Sequence, residues 1–364
     1  MTIDELINSN PPDWLVNCAD SQDIVVGTIG RLVRNLNGFR FPGWSTPEDR
    51  RAVSDILLPA LRSLRGFKDS LCAEMSELSY EQRRALLVRK QLTPCMAARQ
   101  DGCHILLPHH RNIVCMVNEE EHLVLHVCRA GNCVREVLSE LRKLADNLEK
   151  KVSFAKNVGN GYLTSMPGES GDGIQIYTIL HLPALTISNM MPQVCKAMEK
   201  LHVNISPYYS DGEDDTGNQF IAYSIPGPEG STDEMLTHYR AVLKNLINRE
   251  QQVRFKLALE PGLILEDKVA RAFATLSHAR RLSLQESRNA LSVLRLGRVL
   301  GMIDWDDDGQ QKFALSQIRH IDNVLALYTA LTTEEQEAAA PVARAGAIRM
   351  QLSNFHAQLS DNVF

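Results

Sequence analysis

Residues 118–124 read NEEEHLV, so three carboxylates and a histidine stand inside an otherwise apolar segment. Like charges at neighbouring strand positions repel one another, and a sequence that keeps three of them needs a reason. Taken alone, the triplet is typical of a solvated acidic strand end. A functional role requires residues elsewhere in the chain that complete a site.

Two other features could carry chemistry, and both favour simpler interpretations. The segment MPGESGDG, residues 166–173, is glycine-rich but lacks the lysine and the preceding strand of a P-loop, and its own acids would repel phosphate. We interpret it as a turn. The eight cysteines show no CxxC and no paired Cys/His spacing, which favours reduced, buried thiols over zinc or disulfides. The sequence therefore predicts no metal site.

The composition is that of a globular protein with a large core: 364 residues, 44% hydrophobic and 23% charged. This length favours two domains. The formal net charge is −5 without a Lys/Arg cluster, so neither nucleic acid nor an anionic membrane is an expected partner. The first ten residues lack the basic and apolar regions of a secretory signal, and no apolar run approaches the roughly 20 residues of a membrane span. We therefore expect a cytoplasmic protein.

The periodicity of apolar residues predicts an α+β fold in which an antiparallel sheet flanked by helices precedes an all-α region. Short β-rich runs at 104–108, 112–117 and 122–127 are predicted to be neighbouring antiparallel strands, the last one joined to the acidic triplet. Amphipathic helices are predicted after Thr46 and over 134–148. The polar segment 206–217, SPYYSDGEDDTG, is predicted to be a mobile loop.

The first 255 residues mix helix and strand signals, whereas the remainder shows helical periodicity alone, most clearly beyond Pro261. We therefore predict two domains, residues 1–255 and residues 256–364. Capping boxes are predicted at Ser283 with Glu286 and at Thr332 with Glu335. The stretch EAAAPVARAGA is predicted to be a helix that is interrupted or restarted at Pro341.

Five segments together resemble the bacterial protein arginine kinases of the McsB type, which belong to the guanidino (phosphagen) kinase superfamily. The segments are 26–42, 118–123, 161–185, 206–218 and 265–286, in the family's order and spacing, and the resemblance covers nearly the whole chain. It implies a phosphagen-kinase-like phosphotransferase domain over residues 1–255, with ATP and magnesium as reactants. It implies a helical domain over residues 256–364 for dimerisation and for recognising phosphoarginine. It also implies work with a zinc-containing adaptor and a Clp-type unfoldase.

The resemblance gives the acidic triplet a role. A kinase that phosphorylates arginine must hold the always-charged guanidinium with carboxylates that orient one nitrogen and favour the loss of its proton. The family's motif is NEEDH, and its second glutamate corresponds to Glu120. A second acid corresponds to Asp211 in the 206–217 loop, one carbon shorter than the family's glutamate. We expect this catalytic guanidinium clamp to be kept.

The arginines that neutralise ATP phosphates are largely replaced. Where the family reads SSRIRLARN this chain reads GTIGRLVRN, which keeps Arg31 and Arg34 as nucleotide-binding candidates. The family's other phosphate-binding arginines correspond to Ile29, Val124, Gln175 and Ser206, and its active-site cysteine corresponds to Met166. An arginine that stabilises phosphoryl-transfer charge can be worth about 10³–10⁵ in rate. Four losses therefore predict weak ATP binding and almost no turnover, unless Arg40, Arg111, Arg129 or Lys156 compensates.

Three functions are consistent with this pattern. The favoured prediction is a pseudokinase without a firm cofactor, acting as a regulator or scaffold in protein quality control. The alternative is an active, Mg-ATP-dependent protein arginine kinase with a rebuilt phosphate site. The third is a module that holds arginine-containing proteins, peptides or free arginine without phosphorylating them. In the helical domain the family's RDIRRA-like run reads APVARA at 340–345, so we do not expect phosphoarginine sensing, whereas apolar stripes favour a homodimer.

Overall fold

A computed structural model describes residues 2–7, 9, 12, 14, 24–108, 112–159, 161–166, 170–208, 217–225, 231–259, 262–304, 334–354 and 358–359. Up to residue 225 its strands are β1 Val25–Arg34, β2 Leu71–Glu74, β3 His104–Leu107, β4 Ile113–Val117, β5 Leu123–Ala130, β6 Lys156–Asn157, β7 Gly161–Tyr162, β8 Ile174–His181, β9 Val203–Pro207 and β10 Gln219–Ser224. Eight of these strands form one antiparallel sheet in the order β2-β3-β4-β5-β1-β8-β10-β9, and β6 pairs with β7 separately.

Helices cover the two faces of the sheet in different ways. Up to residue 259 they are α1 Ile3–Ile7, α2 Pro47–Arg62, α3 Tyr80–Val88, α4 Pro94–Ala97, α5 Val134–Glu149, α6 Pro183–Ile187, α7 Met191–Lys200 and α8 Thr232–Leu259, with short 3-10 turns at Pro42–Trp44 and Met75–Glu77. The first face packs on α2, α5, α7 and α8 in the largest apolar cluster, which includes Leu57, Leu141 and Leu243. The second face is covered at one end by α1, α3 and α4, through residues such as Leu86 and Met96.

Strand β1 runs through the middle of the sheet and contributes to both faces. Side chains alternate along a strand, so Leu32 enters the cluster on the first face and Val33 the cluster on the second. Position 30 requires a glycine, because a Cβ there would lie 2.3 Å from Cγ1 of Val137 in α5. Gly30 therefore lets α5 pack directly against the strand.

Most of the predicted elements before residue 225 are confirmed. The runs at 104–108, 112–117 and 122–127 are the adjacent antiparallel strands β3, β4 and β5. Helix α2 begins at Pro47, and Thr46 caps it in a capping box with Asp49. Helix α5 matches the predicted amphipathic helix.

Two expectations about this part of the chain need correction. The acidic triplet does not lie on a strand but in the connection between β4 and β5, because β5 begins only at Leu123. The segment 206–217 is not a loop throughout, since Ser206 and Pro207 belong to β9. Residues 209–216 of that segment lie outside the described residues.

Beyond residue 261 the chain forms α9 Gly262–His278, α10 Leu284–Val299 and α11 Glu334–Asn354, which share an apolar cluster of their own. Two short strands, β11 Ile303–Asp304 and β12 Gln358–Leu359, pair here and add to the predicted all-α pattern. The capping box of Ser283 and Glu286 is present. The second predicted box includes Thr332, which lies outside the described residues.

The predicted break at Pro341 is wrong, because α11 continues through it. A proline removes one helical hydrogen bond, and the packing of Ala345, Ile348 and Leu352 into the helical cluster offsets that loss. The predicted division after residue 255 falls inside α8, which continues to Leu259. Within the described part of the chain, no helix is both long and apolar enough to cross a membrane.

Candidate functional site

The connection between β4 and β5 is held in a defined conformation by its first and last residues. Asn118 adopts a left-handed backbone, with φ 62°, and its side-chain amide donates to Gly102 O at 2.7 Å and to Arg50 O at 2.8 Å. At the other end, His122 Nδ1 accepts from Leu36 N at 3.0 Å and His122 Nε2 donates to Arg40 O at 2.8 Å. Burial lowers the pKa of His122, which agrees with this neutral form of the ring.

The three adjacent glutamates have different environments. Glu119 and Glu121 are 2% and 1% exposed, whereas the Glu120 side chain is 47% exposed. Glu119 accepts from Thr93 Oγ1 and from Glu120 N. Two of the three carboxylates are therefore buried parts of the structure, and Glu120 alone of the triplet faces solvent.

Glu121 ties the Glu120 loop to two other segments. Its carboxylate accepts from Asn35 Nδ2 at 2.5 Å, from Ser165 N at 2.6 Å and from Ser165 Oγ at 2.9 Å. Ser165 Oγ also lies 3.1 Å from the carbonyl oxygen of Glu120. The segment that contains Met166, which is 53% exposed, is thus anchored beside Glu120.

Arg31 is the nearest cation to Glu120 for which the structure gives a contact. Its Nη2 lies 3.5 Å from Glu120 Oε2, and the Arg31 side chain is only 10% exposed. A half-exposed pair of this kind stabilises a protein by about 1 kcal/mol or less. Glu120 is therefore neutralised in part, yet accessible to a second cation.

His126 lies beside Arg31 on the second face, as its partner in the pairing of β1 with β5. Burial first and the charge of Arg31 second lower the pKa of His126 to about 3. Its Nε2 is buried without a hydrogen-bond partner in the described part of the chain. His126 is therefore a neutral neighbour and supplies no positive charge to the site at physiological pH.

The four replaced family arginines all map to this second face of the sheet. Antiparallel pairing places Gln175 opposite Arg31, Val124 opposite Val33, and Ser206 opposite Ile221; cross-strand partners share a face. The sequence resemblance therefore selected positions on one face of the sheet.

Three of the four replacements have a local role in packing or hydrogen bonding. Val124 is fully buried in the apolar cluster of α1, α3 and α4. Ile29 packs against a small cluster of Trp14, Cys128 and other apolar residues. Gln175 is 7% exposed, and its Nε2 lies 2.5 Å from Ser224 O. Neutral side chains thus fill the positions at which phosphate would need cations.

Arg34, the second predicted nucleotide-binding residue, is not brought together with Arg31. Three positions apart on a strand, the two side chains point to opposite faces. The Arg34 guanidinium lies 3.4 Å from the centre of the Tyr162 ring, and its Nη1 donates to Val33 O and Asp172 O at 2.8 Å each. Burial lowers the pKa of Arg34 to about 10. Its Nη1 is therefore committed to β1 itself and to the residue two positions before β8.

The cations considered as replacements are paired elsewhere or lie outside the described residues. Arg129 binds Glu140 at 2.6 Å, Lys156 binds Glu149 at 3.1 Å, and Arg40 lies 3.9 Å from Asp49. Arg111 and the second clamp residue Asp211 are outside the described residues. In the part of the chain that the structure describes, no group of three or more His, Cys, Asp or Glu side chains could hold a metal ion.

In the helical region, the two arginines kept near the family's phosphoarginine-recognition run face backbone carbonyls. Arg344 is 2% exposed and its Nη1 lies 2.6 Å from Leu282 O. Arg349 donates to Ala279 O. Both guanidinium groups therefore cap the end of α9 and the turn that follows it.

The residues that hold Glu120 in place and the aromatic residues on the second face were not predicted from the sequence. Asn35 and Ser165 are far from Glu121 in the sequence, and nothing in their local pattern indicates the contact. The tyrosines of β8 and β10 did leave a signal: Gln175 and Tyr177 alternate with the apolar residues of IQIYTILH, which places both on one face.

The solved structures that share this fold include two kinases of guanidino compounds. Lombricine kinase aligns with a TM-score of 0.54 at 20% identity, over 68% of this chain and 75% of that chain. The duplicated taurocyamine kinase of Schistosoma mansoni aligns with a TM-score of 0.59 at 16% identity, over 88% of this chain and 49% of that chain. The architecture is thus that of the guanidino kinase class.

Sequence relatives narrow the class. The ATP:guanido phosphotransferase C-terminal catalytic domain matches residues 52–253, and the protein-arginine kinase McsB C-terminal domain matches residues 263–362. A protein-arginine kinase of Halothermothrix orenii is 29% identical over 309 residues, 85% of this chain and 88% of that protein. One of Bacillus cereus is 27% identical over 305 residues, 83% of this chain and 86% of that protein. The chain therefore belongs to the ATP:guanido phosphotransferase family, in its McsB-type branch.

Proposed function

We propose that this chain is a protein-arginine-kinase-like pseudokinase that binds a guanidinium through Glu120 and does not phosphorylate it. The observation that carries the proposal is the contrast between the connection from β4 to β5 and the second face of the sheet. Glu120 is exposed on a loop fixed by buried hydrogen bonds. All four positions of the family's phosphate arginines hold neutral residues, and three of these residues, Ile29, Val124 and Gln175, pack or hydrogen-bond locally.

The residues present do not fit a nucleoside triphosphate. A triphosphate brings about four negative charges, and a charge-assisted hydrogen bond to each phosphate contributes about 1.5–3 kcal/mol. Arg31 is kept, but it faces Glu120 at 3.5 Å. Val124 and Gln175 carry no charge that could neutralise the phosphates. The phosphates would therefore lose their hydration on binding with few charge-assisted hydrogen bonds to offset that cost.

The same substitutions favour a cationic ligand. Removing arginines from the second face makes the surroundings of Glu120 more negative, which attracts a guanidinium. Glu120 needs no rearrangement to bind it, because Glu119, Glu121 and Ser165 already fix the loop. A preorganised carboxylate loses little entropy on binding.

The biological role proposed with this chemistry is regulatory. A pseudokinase that still binds arginine side chains would act as a cytoplasmic regulator or scaffold in protein quality control, as a homodimer, with arginine-containing proteins as ligands. A zinc-containing adaptor and a Clp-type unfoldase are the partners that the family resemblance suggests.

An active protein arginine kinase is the second candidate, and the relatives favour it. The proteins of Halothermothrix orenii and Bacillus cereus are both named protein-arginine kinase. An active enzyme would need phosphate-binding cations from elsewhere in the chain. Phosphoarginine in a protein substrate after incubation with Mg-ATP, detected by mass spectrometry at neutral pH, would establish this function in place of the pseudokinase.

The proposed guanidinium binding is tested by fluorescence anisotropy with a labelled arginine peptide. Wild-type protein should bind the peptide weakly, less tightly at high salt and no more tightly with ATP. Glu120→Gln should reduce the affinity about tenfold, because it removes a charge-assisted hydrogen bond. Glu140→Gln, a control at a surface carboxylate paired with Arg129, should not. Equal affinities for wild type and Glu120→Gln would refute guanidinium binding at this site.

A further inference from the structure

Arg99 is a cation next to the acidic triplet to which the site described above gives no role. It follows α4, and the residue that caps the start of α4, Thr93, donates from its Oγ1 to the buried carboxylate of Glu119. The backbone at Arg99 is fixed, because Arg83 Nη1 donates to Arg99 O at 3.0 Å. One end of this short segment therefore contacts the triplet, and Arg99 lies at the other end on a rigid backbone.

The Arg99 side chain turns back along α4 towards the triplet. Its guanidinium lies beside the thiol of Cys95, in the first turn of the helix. Burial first, and then the charge of Glu119, raise the pKa of this thiol; Arg99 lowers it, and the charge of Glu120 adds to the rise. The Cys95 thiol therefore lies within electrostatic range of Arg99 and of both glutamates, a range of about 10 Å.

A second thiol also places Arg99 near the connection between β4 and β5. Cys103 Sγ donates to the carbonyl oxygen of Asn118, the first residue of that connection, at 3.3 Å. Burial raises the pKa of Cys103, and the charges of Arg50 and Arg99 lower it in part. Arg99 is thus close to two thiols that border residues 118–120 from different segments.

The positive charge of Arg99 has no acidic partner in the described part of the chain. Its partly buried guanidinium forms no ion pair there, and its Nε is buried without a hydrogen-bond partner among the described residues. Most buried polar atoms in proteins are hydrogen-bonded. An arginine in this state favours an anionic ligand, because carboxylates form strong charge-assisted hydrogen bonds with guanidinium groups.

We propose that Arg99 binds a carboxylate of the same ligand whose guanidinium binds Glu120, which rests on the guanidinium binding proposed above. The ligand is then zwitterionic: an arginine with its own free carboxylate, or an arginine with an acidic residue near it in a peptide. With Glu119 and Glu120 close by, Arg99 can neutralise a single further negative charge. A carboxylate fits this position, and the roughly four charges of a triphosphate do not.

Two matched pairs of ligands test the proposal with the intact chain. The labelled peptides GDGRGDG and GNGRGNG, with blocked ends, differ only in aspartate against asparagine and are compared by fluorescence anisotropy. The competitors N-acetylarginine and N-acetylargininamide differ only in the carboxylate of the arginine itself. Wild-type protein should prefer the acidic member of at least one pair by about threefold, and the pair that shows the preference identifies the carboxylate that binds. No preference in either pair would overturn the proposal.

Variants at position 99 separate the charge of the side chain from its structural role. Arg99→Met removes the charge, while Arg83 still holds the backbone carbonyl. The preference should then reverse to about threefold in favour of the neutral ligand, because only the acidic triplet acts on the carboxylate. Arg99→Lys keeps the charge and should keep a preference for the acidic ligand, as should Arg271→Met, a control at an arginine whose side chain is 78% exposed. Thermal denaturation of each variant checks that the fold is intact.

Failure of this site is distinguishable from failure of the guanidinium site. If Glu120→Gln weakens GNGRGNG while Arg99→Met leaves the wild-type preference unchanged, only the Arg99 site is refuted. If Glu120→Gln has no effect on GNGRGNG, the guanidinium site on which this proposal rests is refuted. Mg-ATP binding that Arg99→Met weakens would show that Arg99 binds phosphate, and would also overturn the proposal.

Discussion

The two ends of the candidate site are built in opposite ways. At the carboxylate end, Glu120 is exposed while Glu119 and Glu121 are buried and hydrogen-bonded to residues on other segments. At the phosphate end, the positions of the family's arginines hold side chains that pack with their neighbours, such as Val124 in an apolar cluster. At the carboxylate end, Glu120 keeps its charge on a loop that hydrogen bonds hold in place. At the phosphate end, neutral residues that pack against apolar neighbours occupy the positions of the family's arginines.

This difference supports the proposal that the site has lost its phosphate half and kept its carboxylate half. The Glu120 loop is also a structural element, because the carboxylate of Glu121 joins Asn35 to Ser165. Selection for folding alone would preserve it. An arginine that faces a phosphate has no such structural role, and its replacement by an apolar residue next to an existing cluster removes the cost of desolvating a charge.

The largest expected effect comes from breaking the carboxylate end at Glu121. Glu121→Ala should lower the free energy of unfolding by about 4 kcal/mol, because it leaves the Asn35 amide and both Ser165 donors without their buried acceptor. Binding of arginine peptides should be lost as well, since Glu120 is no longer held. Urea denaturation and anisotropy measure the two effects.

A matched change at an exposed carboxylate is the control for Glu121. Glu140 pairs with Arg129 on the surface, so Glu140→Ala should cost less than about 1 kcal/mol. Similar losses of stability for the two variants would show that the Glu121 network has no special structural role.

The second prediction concerns the phosphate end. Val124→Arg, which restores the family residue, should cost about 3 kcal/mol, because position 124 is fully buried among apolar side chains. Ser206→Arg, on the edge strand β9, should change stability by less than about 0.5 kcal/mol. Denaturation of both variants in parallel measures this contrast; a well-tolerated Val124→Arg would show that the apolar cluster can still admit a phosphate arginine.

The third prediction uses the histidine between the two ends. The pKa of His126 is lowered to about 3 in the folded protein by burial and by Arg31, whereas an unfolded chain takes up the proton near pH 6.5. Stability from neutral His126 is therefore present above pH 6.5 and lost as the pH falls towards 3.

Between pH 7.5 and 5.5 this protonation should remove about 1.4 kcal/mol of unfolding free energy. Denaturation by guanidinium chloride at the two pH values measures the loss. His126→Asn should reduce the difference in unfolding free energy between these pH values by about the same amount. A pH dependence that is identical in wild type and His126→Asn would mean that the ring is protonated as readily in the folded state as in the unfolded chain.

The sequence predicted the elements with strong local signals. Helix α2, with Thr46 as its cap, and the strands β3 to β5 follow from periodicity and turn residues. The sequence could not predict that Glu119 and Glu121 are buried while Glu120 is exposed. This difference depends on hydrogen bonds with Thr93, Asn35 and Ser165, which span 26 to 86 residues of the sequence.

Residues of the candidate site could be predicted only where motifs of this chain follow the family's motifs in the same order. Val124 and Gln175 were assigned to one site from their order along the chain, and strand pairing places both on the second face. Arg34 shows the limit of that reasoning: only the alternation of β1 reveals that it faces Tyr162 on the other side of the sheet. Asp211 and Arg111 remain predictions, as they lie outside the described residues.

Calorimetric titration of Mg-ATP into the wild-type protein tests the proposed loss of phosphate binding most directly. With neutral residues at Ile29, Val124, Gln175 and Ser206, we predict no binding tighter than about 1 mM, which corresponds to about −4.1 kcal/mol. Mg-ADP should behave in the same way. A dissociation constant near 1 μM, or about −8.2 kcal/mol, would contradict the pseudokinase proposal and favour an active kinase with a rebuilt phosphate site.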